Sequence, residues 1–319
     1  MHKRLGKGLG LIGVSGLLVL GWVPLQAGEE PPAFSVWSAA VNLGPVVNSS
    51  SYDACPTISK DGLSLYFRSN RSGGNGDFDI WVSQRDAVED PWGVPTNLGP
   101  TINGAFGEFC SAFSPDGHWL VFVSSRPVAA GGCGNQDLWI SHRKNRRDDF
   151  GWETPRNLGC GRVNSTSMEN GPALFEDPVT GRLLLYFSSS RAGGPGSLDI
   201  YVAEAEDDAK DAYGLPILVN ELNTGQNDYQ PVLRKDGLEI FIASARPGGS
   251  GYADLWTSTR ESTLDLWSPP VNLGPLVNSD QADFHPTLSF NGTTLLFASE
   301  RGGNGDLWMS TRSKLRGPN

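Results

Sequence analysis

Histidine, methionine and positive charge are all scarce in this chain of 319 residues. It has 4 His and 3 Met, and its 25 Lys and Arg face 35 Asp and Glu. Few histidines argue against a zinc or copper cluster, and a surplus of acids argues against a nucleic acid partner. The sequence also lacks a Gly-Lys-Ser/Thr phosphate loop, a Gly-x-Ser-x-Gly elbow and, after its first residues, helical or heptad periodicity.

The first 27 residues are unlike the rest of the chain. A basic start with Lys3, Arg4 and Lys7 precedes an apolar stretch from Leu9 to Leu20, and Leu25-Gln26-Ala27 forms a small-residue cleavage site. This pattern predicts a secretory signal peptide over 1–27, followed by a linker over 28–35. Removing three of the 25 basic residues leaves 22 against 35 acids, a net charge of −13. We therefore expect a periplasmic or secreted protein without a membrane span once the leader is cleaved.

A repeated pattern fills most of the remaining chain. Asn-x-x-x-x-[Asp/Glu]-x-x-[Pro/Ser] occurs five times, and the copies start at Asn48, Asn103, Asn164, Asn223 and Asn278. Each copy continues with a turn such as Asp61-Gly62, a strand that ends in Ser-x-Arg, a glycine-rich loop and a strand that opens with Asp. A period of about 40 to 60 residues built from short strands is typical of β-propeller blades.

The outer strand of the last blade is expected at the other end of the chain. Residues 37–44 read Trp-Ser-Ala-Ala-Val-Asn-Leu-Gly and match the outer-strand motif at 92–99. We therefore predict an all-β, five-bladed β-propeller over 36–319, a monomer whose last blade is completed by the N-terminal strand. Such closure removes the open sheet edges at which other chains could pair.

Three motifs give the repeat a resemblance to a known family. Ser114-Pro115-Asp116-Gly117, Ser69-x-Arg71-x-Gly73-Gly74 and Asp79-Ile80-Trp81, with their copies, resemble the WD40-like propeller repeat of bacterial envelope proteins. That family includes the periplasmic propeller of the Tol system, and the resemblance covers about 37–312. It implies an exported recognition scaffold whose partner is an envelope protein, a peptide or a glycan. Such motifs are specific for fold and say little about activity.

Propeller topology brings three charged residues of each blade to one face, called here the top face. An acid precedes the innermost strand, an arginine follows the second strand and an aspartate precedes the third. We expect each arginine to bind the aspartate of the third strand. The inner acids would then stay unpaired near the axis, where carboxylates and Asn carbonyls would suit Ca²⁺. The inner acids are Asp53, Glu108, Glu169, Asp228 and Asp283; the arginines are Arg71, Arg126, Arg191, Arg246 and Arg301; the third-strand aspartates are Asp79, Asp137, Asp199, Asp254 and Asp306.

Positions that differ between the copies are where a unique site is expected, because identical positions build the blades. The main prediction is a binding protein whose ligand contacts the acidic top face. The alternative is a five-bladed glycoside hydrolase with axial carboxylates, for which Asp53, Asp228 and Asp283 are the candidates. A third possibility is a structural scaffold that binds protein through its bottom loops. The candidate ligand contacts follow the inner acids and are Phe109, Asn170, Tyr229, Phe284 and His285.

Four cysteines in an exported chain permit disulfides. Cys133 and Cys160 lie in loops that propeller topology places on one face, and they form the best candidate pair. Cys55 and Cys110 occupy equivalent positions in neighbouring copies. A bridge between adjacent inner strands and two buried free thiols remain open for this second pair.

Overall fold

The structure is a computed structural model that describes residues 33–206 and 211–315. The signal peptide expected over 1–27 lies outside the described residues, as does most of the linker expected over 28–35. Among the described residues, no helix is both long and apolar enough to cross a membrane. The regular structure there consists of twenty β-strands and two short 3₁₀ turns, Val128–Ala130 and Asn220–Leu222.

The strands form five four-stranded antiparallel sheets, so the prediction of a five-bladed all-β propeller is confirmed. Strand β1 is Val41–Asn42. The first blade consists of β2 (Asp53–Ile58), β3 (Ser64–Ser69), β4 (Asp79–Gln84) and β5 (Thr96–Asn97), and the second of β6 (Glu108–Phe113), β7 (Trp119–Ser124), β8 (Asp137–His142) and β9 (Arg156–Asn157). The third is β10 (Glu169–Glu176), β11 (Leu183–Ser189), β12 (Asp199–Glu204) and β13 (Ile217–Leu218); the fourth is β14 (Asp228–Leu233), β15 (Glu239–Ser244), β16 (Asp254–Thr259) and β17 (Val271–Asn272). The fifth is β18 (Asp283–Leu288), β19 (Thr294–Ser299) and β20 (Asp306–Thr311) together with β1.

The N-terminal strand closes the last blade, as expected. Val41 pairs with Met309 and Asn42 with Trp308 in an antiparallel register. A further bridge joins Phe34 to Lys314. The fifth blade thereby gains the outer strand that its own repeat does not supply.

The core lies between neighbouring sheets. The second strand of each blade alternates fully buried apolar residues, as Leu65 and Phe67 do in β3 and Leu295 and Phe297 do in β19. These four side chains belong to one cluster, in which the first and fifth blades pack together. Each buried row packs against the neighbouring blade, so a blade depends on its neighbours for stability. Closure of the ring gives the first and fifth blades a neighbour on both sides.

Every innermost strand carries a β-bulge near its start. The third residues, at the bulge, line the axis and are called here the axial ring: Cys55, Cys110, Gly171, Gln230 and His285. Cys55, Gln230 and His285 have φ near +55°, a conformation that L-residues rarely adopt. A Cβ on Gly171 would lie 2.8 Å from the Gln230 Cα, so only glycine fits there. Bulges of this kind re-aim side chains beside functional sites.

Candidate functional site at the top face

The five arginines bind the inner acids, and the expectation that they bind the third-strand aspartates is wrong. Each guanidinium pairs with the carboxylate that opens the innermost strand of its own blade, and four of the five donate a hydrogen bond to it. Every one of these carboxylates is fully buried. The closest N–O separations are 2.7 Å for Arg71–Asp53, 3.5 Å for Arg126–Glu108, 3.0 Å for Arg191–Glu169, 2.6 Å for Arg246–Asp228 and 2.6 Å for Arg301–Asp283.

The third-strand aspartates have other partners, which explains the correction. Asp254 accepts hydrogen bonds from the backbone N–H groups of Ser250 at 2.6 Å and Gly251 at 3.0 Å. It also accepts one from the side chain of Asn272 in the outer strand at 2.8 Å. Its oxygens therefore hold the glycine-rich loop and the outer strand together, and the same arrangement recurs at Asp79.

The inner carboxylates are saturated with donors as well as paired. Asp228 accepts from the backbone N–H of Thr224 at 2.6 Å, from the Thr224 hydroxyl at 2.7 Å and from Arg246. The premise of five unpaired charges around the axis is therefore wrong. Asp53, Asp228 and Asp283, the carboxylates named for the hydrolase alternative, expose no side-chain surface. The Ca²⁺ site expected at the inner acids is untested, and a bound ion would have to displace these donors.

Glu108 departs from the other inner acids. Its bridge to Arg126 is the longest of the five at 3.5 Å, and Gly104 offers it a backbone N–H but no hydroxyl. Burial raises the pKa of Glu108 to about 7, while Arg126, Gly104 and Ser124 act in the opposite direction. The five acids thus differ electrostatically although their local sequences are similar.

A polar pair that breaks the fivefold pattern lies where the last blade meets the first. The Tyr52 hydroxyl donates to Oε1 of Glu300 at 2.9 Å. Tyr52 precedes the first residue of β2, and Glu300 follows the last residue of β19. Burial and the neighbouring Glu300 carboxylate raise the pKa of Tyr52 to about 12. The phenol therefore stays protonated at neutral pH unless a base takes its proton.

Arg68 stands beside this pair within a cage of aromatic rings. Its guanidinium carbon lies 5.5 Å from the ring centre of Tyr52, 5.1 Å from that of Phe78 and 5.5 Å from that of Phe109. Within the described ranges its buried Nε has no hydrogen-bond partner. A cation over aromatic faces is stabilised electrostatically, and the Nε donor of Arg68 is left unused.

An open cavity of about 550 Å³ reaches Tyr52 and Arg68, and we call it the top cavity. It could hold a small sugar, since ligand pockets commonly span 300 to 1,000 Å³. Asn70 fixes one wall by accepting the Tyr52 backbone N–H at 2.8 Å. The lining residues are Ser50, Ser51, Tyr52, Arg68, Asn70, Phe78 and Asn304.

The structure places the ligand contacts predicted from the sequence in different surroundings. Phe109 belongs to the cage around Arg68. Burial raises the pKa of half-buried Tyr229, with further contributions from Tyr252, Tyr52 and Glu300. Phe284 and His285 are buried, with ring centres 4.6 Å apart. Burial and Arg68 hold the pKa of His285 well below its usual value.

Asn170, the remaining candidate, contacts Gln136 through a 3.3 Å side-chain hydrogen bond. It does not line the top cavity, whose walls come from the first and fifth blades. Asn170 therefore lies apart from the cluster around Arg68, and its role as a ligand contact stays a prediction.

Sequence reasoning missed Tyr52, Arg68 and Glu300, although the repeat carries a signal for each. The positions equivalent to Arg68 hold Val123, Ser188, Ala243 and Ala298; those equivalent to Tyr52 hold Gly107, Met168, Asn227 and Ala282; those equivalent to Glu300 hold Asn70, Ser125, Ser190 and Ala245. The rule that a unique site lies where copies differ was applied only to the residues that follow the inner acids.

The four cysteines form two disulfides. One joins Cys133 to Cys160, the pair favoured by loop topology. The other joins Cys55 to Cys110 across two neighbouring inner strands, with their Cα atoms 4.8 Å apart. Of the two possibilities left open for Cys55 and Cys110, the structure has the bridge.

No protein-family model matches this chain, and no curated protein matches it. Solved structures do. A thermostable family-43 glycoside hydrolase is 15% identical, with 88% of this chain and 94% of that chain covered and a TM-score of 0.56. The α-L-arabinofuranosidase PaAbf62A from Podospora anserina, in complex with cellotriose, is 13% identical, with 89% and 98% covered and a TM-score of 0.59. An α-L-arabinofuranosidase from Lactobacillus brevis is 13% identical, with 86% and 93% covered and a TM-score of 0.56.

These identities show a shared propeller fold and nothing more. TolB from Acinetobacter baumannii is also similar, at 17% identity, but its TM-score is only 0.46. The five four-stranded sheets support the WD40-like resemblance only as far as the propeller itself. The main prediction of a binding scaffold is not borne out, because the neighbours that match over most of both chains are glycoside hydrolases.

Proposed function

We propose that this protein is a glycoside hydrolase that acts in the top cavity, with Tyr52 as nucleophile and Glu300 as its base. The observation that carries the proposal is the 2.9 Å hydrogen bond from the Tyr52 hydroxyl to the Glu300 carboxylate beside Arg68. A nucleophile and a base within hydrogen-bond reach are the signature of covalent catalysis. Some glycosidases use tyrosine in this way in place of a carboxylate.

The chemistry follows from the positions of the three groups. The Tyr52 oxygen attacks the anomeric carbon while Glu300 accepts the phenolic proton, and the aglycone leaves as an oxyanion that takes a proton from solvent. Water then attacks the anomeric carbon and releases one proton to solvent, the bond to the tyrosine oxygen breaks, and Glu300 returns its proton to Tyr52. Because the pKa of Tyr52 is raised to about 12, the carboxylate is needed to activate it.

Arg68 is assigned to the substrate in this proposal. Its free Nε donor lies among aromatic rings that can stack on the apolar face of a sugar. A guanidinium prefers a carboxylate as its partner. We therefore expect acidic sugars to be turned over faster than the neutral pentosides suggested by the arabinofuranosidase neighbours.

A panel of aryl glycosides tests the proposal, because a phenolate leaving group needs little protonation. Tyr52→Phe and Glu300→Gln should each lower kcat by about 10² to 10⁴. Tyr252→Phe serves as the matched control, since Tyr252 is 79% exposed, and it should change kcat by less than about twofold. An activated fluoroglycoside should leave a sugar on Tyr52 that peptide mass spectrometry detects. No turnover on the whole panel, or full activity in Tyr52→Phe, would overturn the assignment.

Export to the periplasm or the cell exterior is part of the proposal. Its support is the pair of disulfides, which persist in oxidising compartments, together with the leader pattern in the sequence. Fractionation of the native host with an antibody against the mature chain tests it. Recovery of uncleaved protein from the cytoplasm would contradict export.

A further inference from the structure

Two cysteines and one histidine meet at the axis of the propeller. Cys55, Cys110 and His285 hold the same bulge position in β2, β6 and β18 and belong to the axial ring. One ligand atom of each, two sulfurs and a ring nitrogen, lie within 4.8 Å of one another, and all three residues are buried. The shortage of histidine in the sequence argued against a metal cluster, but the fold brings cysteine sulfur to one of the few histidines.

His285 supplies an independent observation. Its side chain is only 6% exposed, yet within the described part of the chain its Nδ1 has no hydrogen-bond partner. A buried nitrogen left without a partner costs free energy and calls for a reason. The backbone N–H of His285 donates to Oε1 of Gln230 at 2.9 Å, which helps to hold the residue at the axis.

We propose that reduction of the Cys55–Cys110 disulfide turns this cluster into a site for a thiophilic metal ion, Zn²⁺ or Cu⁺. A dithiol reductant supplies two electrons and two protons, so the sulfur–sulfur bond opens to two thiols and the reductant becomes a disulfide. The ion then displaces the two thiol protons and is held by two thiolates and the imidazole of His285. Two Cys and one His are a known set of three protein ligands for zinc, which leaves a fourth position open.

The distances allow this with small side-chain movements. Bond lengths of about 2.3 Å to sulfur and about 2.0 Å to nitrogen place tetrahedral ligand atoms roughly 3.3 to 3.8 Å apart. The three atoms already lie within 4.8 Å of one another. While the sulfurs are bonded to each other they are not thiolates and cannot both bind a metal. The disulfide is therefore the state that excludes the ion.

Access to the cluster is from the bottom face. A cavity of about 380 Å³, the bottom cavity, reaches Cys55, Cys110 and His285. A small dithiol or an ion can enter there without separation of the blades. The second disulfide, Cys133–Cys160, has no histidine beside it in any metal-binding group among residues 33–206 and 211–315, so it serves as the internal comparison.

The test uses the mature chain with Cys133→Ser and Cys160→Ser, so that only the axial cysteines remain. After anaerobic reduction with dithiothreitol and desalting, the protein is titrated separately with Zn²⁺, Cu⁺ and, as a spectroscopic probe, Co²⁺. We expect one ion per chain in the reduced protein by native mass spectrometry and none in the oxidised protein. The Co²⁺ form should show a thiolate-to-metal charge-transfer band. A reduced protein that binds neither Zn²⁺ nor Cu⁺ stoichiometrically would overturn the proposal.

Ligand substitutions separate this site from adventitious thiol binding. Cys55→Ser should abolish binding, and His285→Ala should weaken it by on the order of tenfold or more, since even outer partners of metal ligands matter by that factor. Unchanged affinity in either variant would refute the three-ligand site. If His285→Ala does not fold, protection from iodoacetamide is measured with His285 intact. Zn²⁺ or Cu⁺ that leaves Cys55 and Cys110 as reactive as in the metal-free reduced protein would refute it equally.

Discussion

Arg246 donates to Oδ1 of Asp228 at 2.6 Å and, through the same nitrogen, to the carbonyl of Leu222 at 2.7 Å. The Asp228 side chain is fully buried and that of Arg246 is 9% exposed. One guanidinium thus joins the end of the second strand to the start of the innermost strand and to the loop before it. The arrangement recurs in all five blades, which makes it a structural element rather than a site.

Arg246→Ala should therefore destabilise the protein strongly. It leaves a buried carboxylate without its partner, which costs about 3 to 5 kcal/mol. Arg182→Ala is the matched control, because its 3.0 Å bridge to Glu204 is exposed and should contribute less than about 1 kcal/mol. Urea unfolding measures both. Adding Asp228→Asn to Arg246→Ala should restore part of the loss, whereas an unchanged midpoint in Arg246→Ala would show that the bridge does not stabilise the fold.

Deletion of residues 34–45 should abolish cooperative unfolding at the parent temperature. The deletion removes β1 and the bridge from Phe34 to Lys314, so β20 becomes an exposed edge open to pairing with other chains. Calorimetry and light scattering measure the loss. A synthetic peptide with the sequence of residues 33–46 should raise the melting temperature of the truncated chain. A truncated chain that melts like the parent would contradict closure by the N-terminal strand.

Millimolar Ca²⁺ should leave the melting temperature unchanged. Each inner acid already has a guanidinium partner, so an added cation would have to displace an arginine. A Ca²⁺ site occupied at a hundred times its Kd would stabilise the fold by about 2.7 kcal/mol, which calorimetry detects easily. Mg²⁺ and NaCl at equal ionic strength are the controls. A rise specific to Ca²⁺, lost in Asp53→Asn with Asp228→Asn, would restore the cation hypothesis.

The fold was predictable from the sequence because the repeat fixes the number of blades and the N-terminal copy of the outer-strand motif fixes closure. The partner of Arg246 was not, because Ser244 pairs with Asp228 on one side and with Asp254 on the other. Both acids therefore lie directly opposite Ser244, two residues before Arg246, in the neighbouring strands. The loop N–H groups of Ser250 and Gly251 donate to Asp254, and Arg246 binds the other acid, Asp228.

The candidate site was only partly predictable for a similar reason. Comparison of the copies could have found Tyr52 and Glu300 as unusual residues, but they are 248 positions apart. Their contact exists only because the last blade packs against the first. The cluster of Cys55, Cys110 and His285 likewise depends on the bulges that turn one residue of each inner strand toward the axis.

Glu108 should make stability depend on pH in a direction opposite to that of an ordinary salt-bridged acid. Its pKa is raised from 4.5 to about 7 in the folded protein, mainly by burial. Between these two pH values the folded state keeps a proton that the unfolded state has lost. The stabilisation is fully present below about pH 4.5 and is lost as the pH rises toward about 7, with an upper limit of about 3 kcal/mol.

Glu108→Gln removes this titration while it preserves the shape of the protonated side chain. The free energy of unfolding of Glu108→Gln minus that of the parent should therefore increase between pH 4.5 and pH 7.5, because ionisation of Glu108 favours the unfolded state of the parent alone. Urea unfolding at several pH values measures the difference, and Glu261→Gln at an exposed position is the control for a lost glutamate. A difference that stays constant over this range would mean that Glu108 is ionised throughout and that its bridge to Arg126 outweighs its burial.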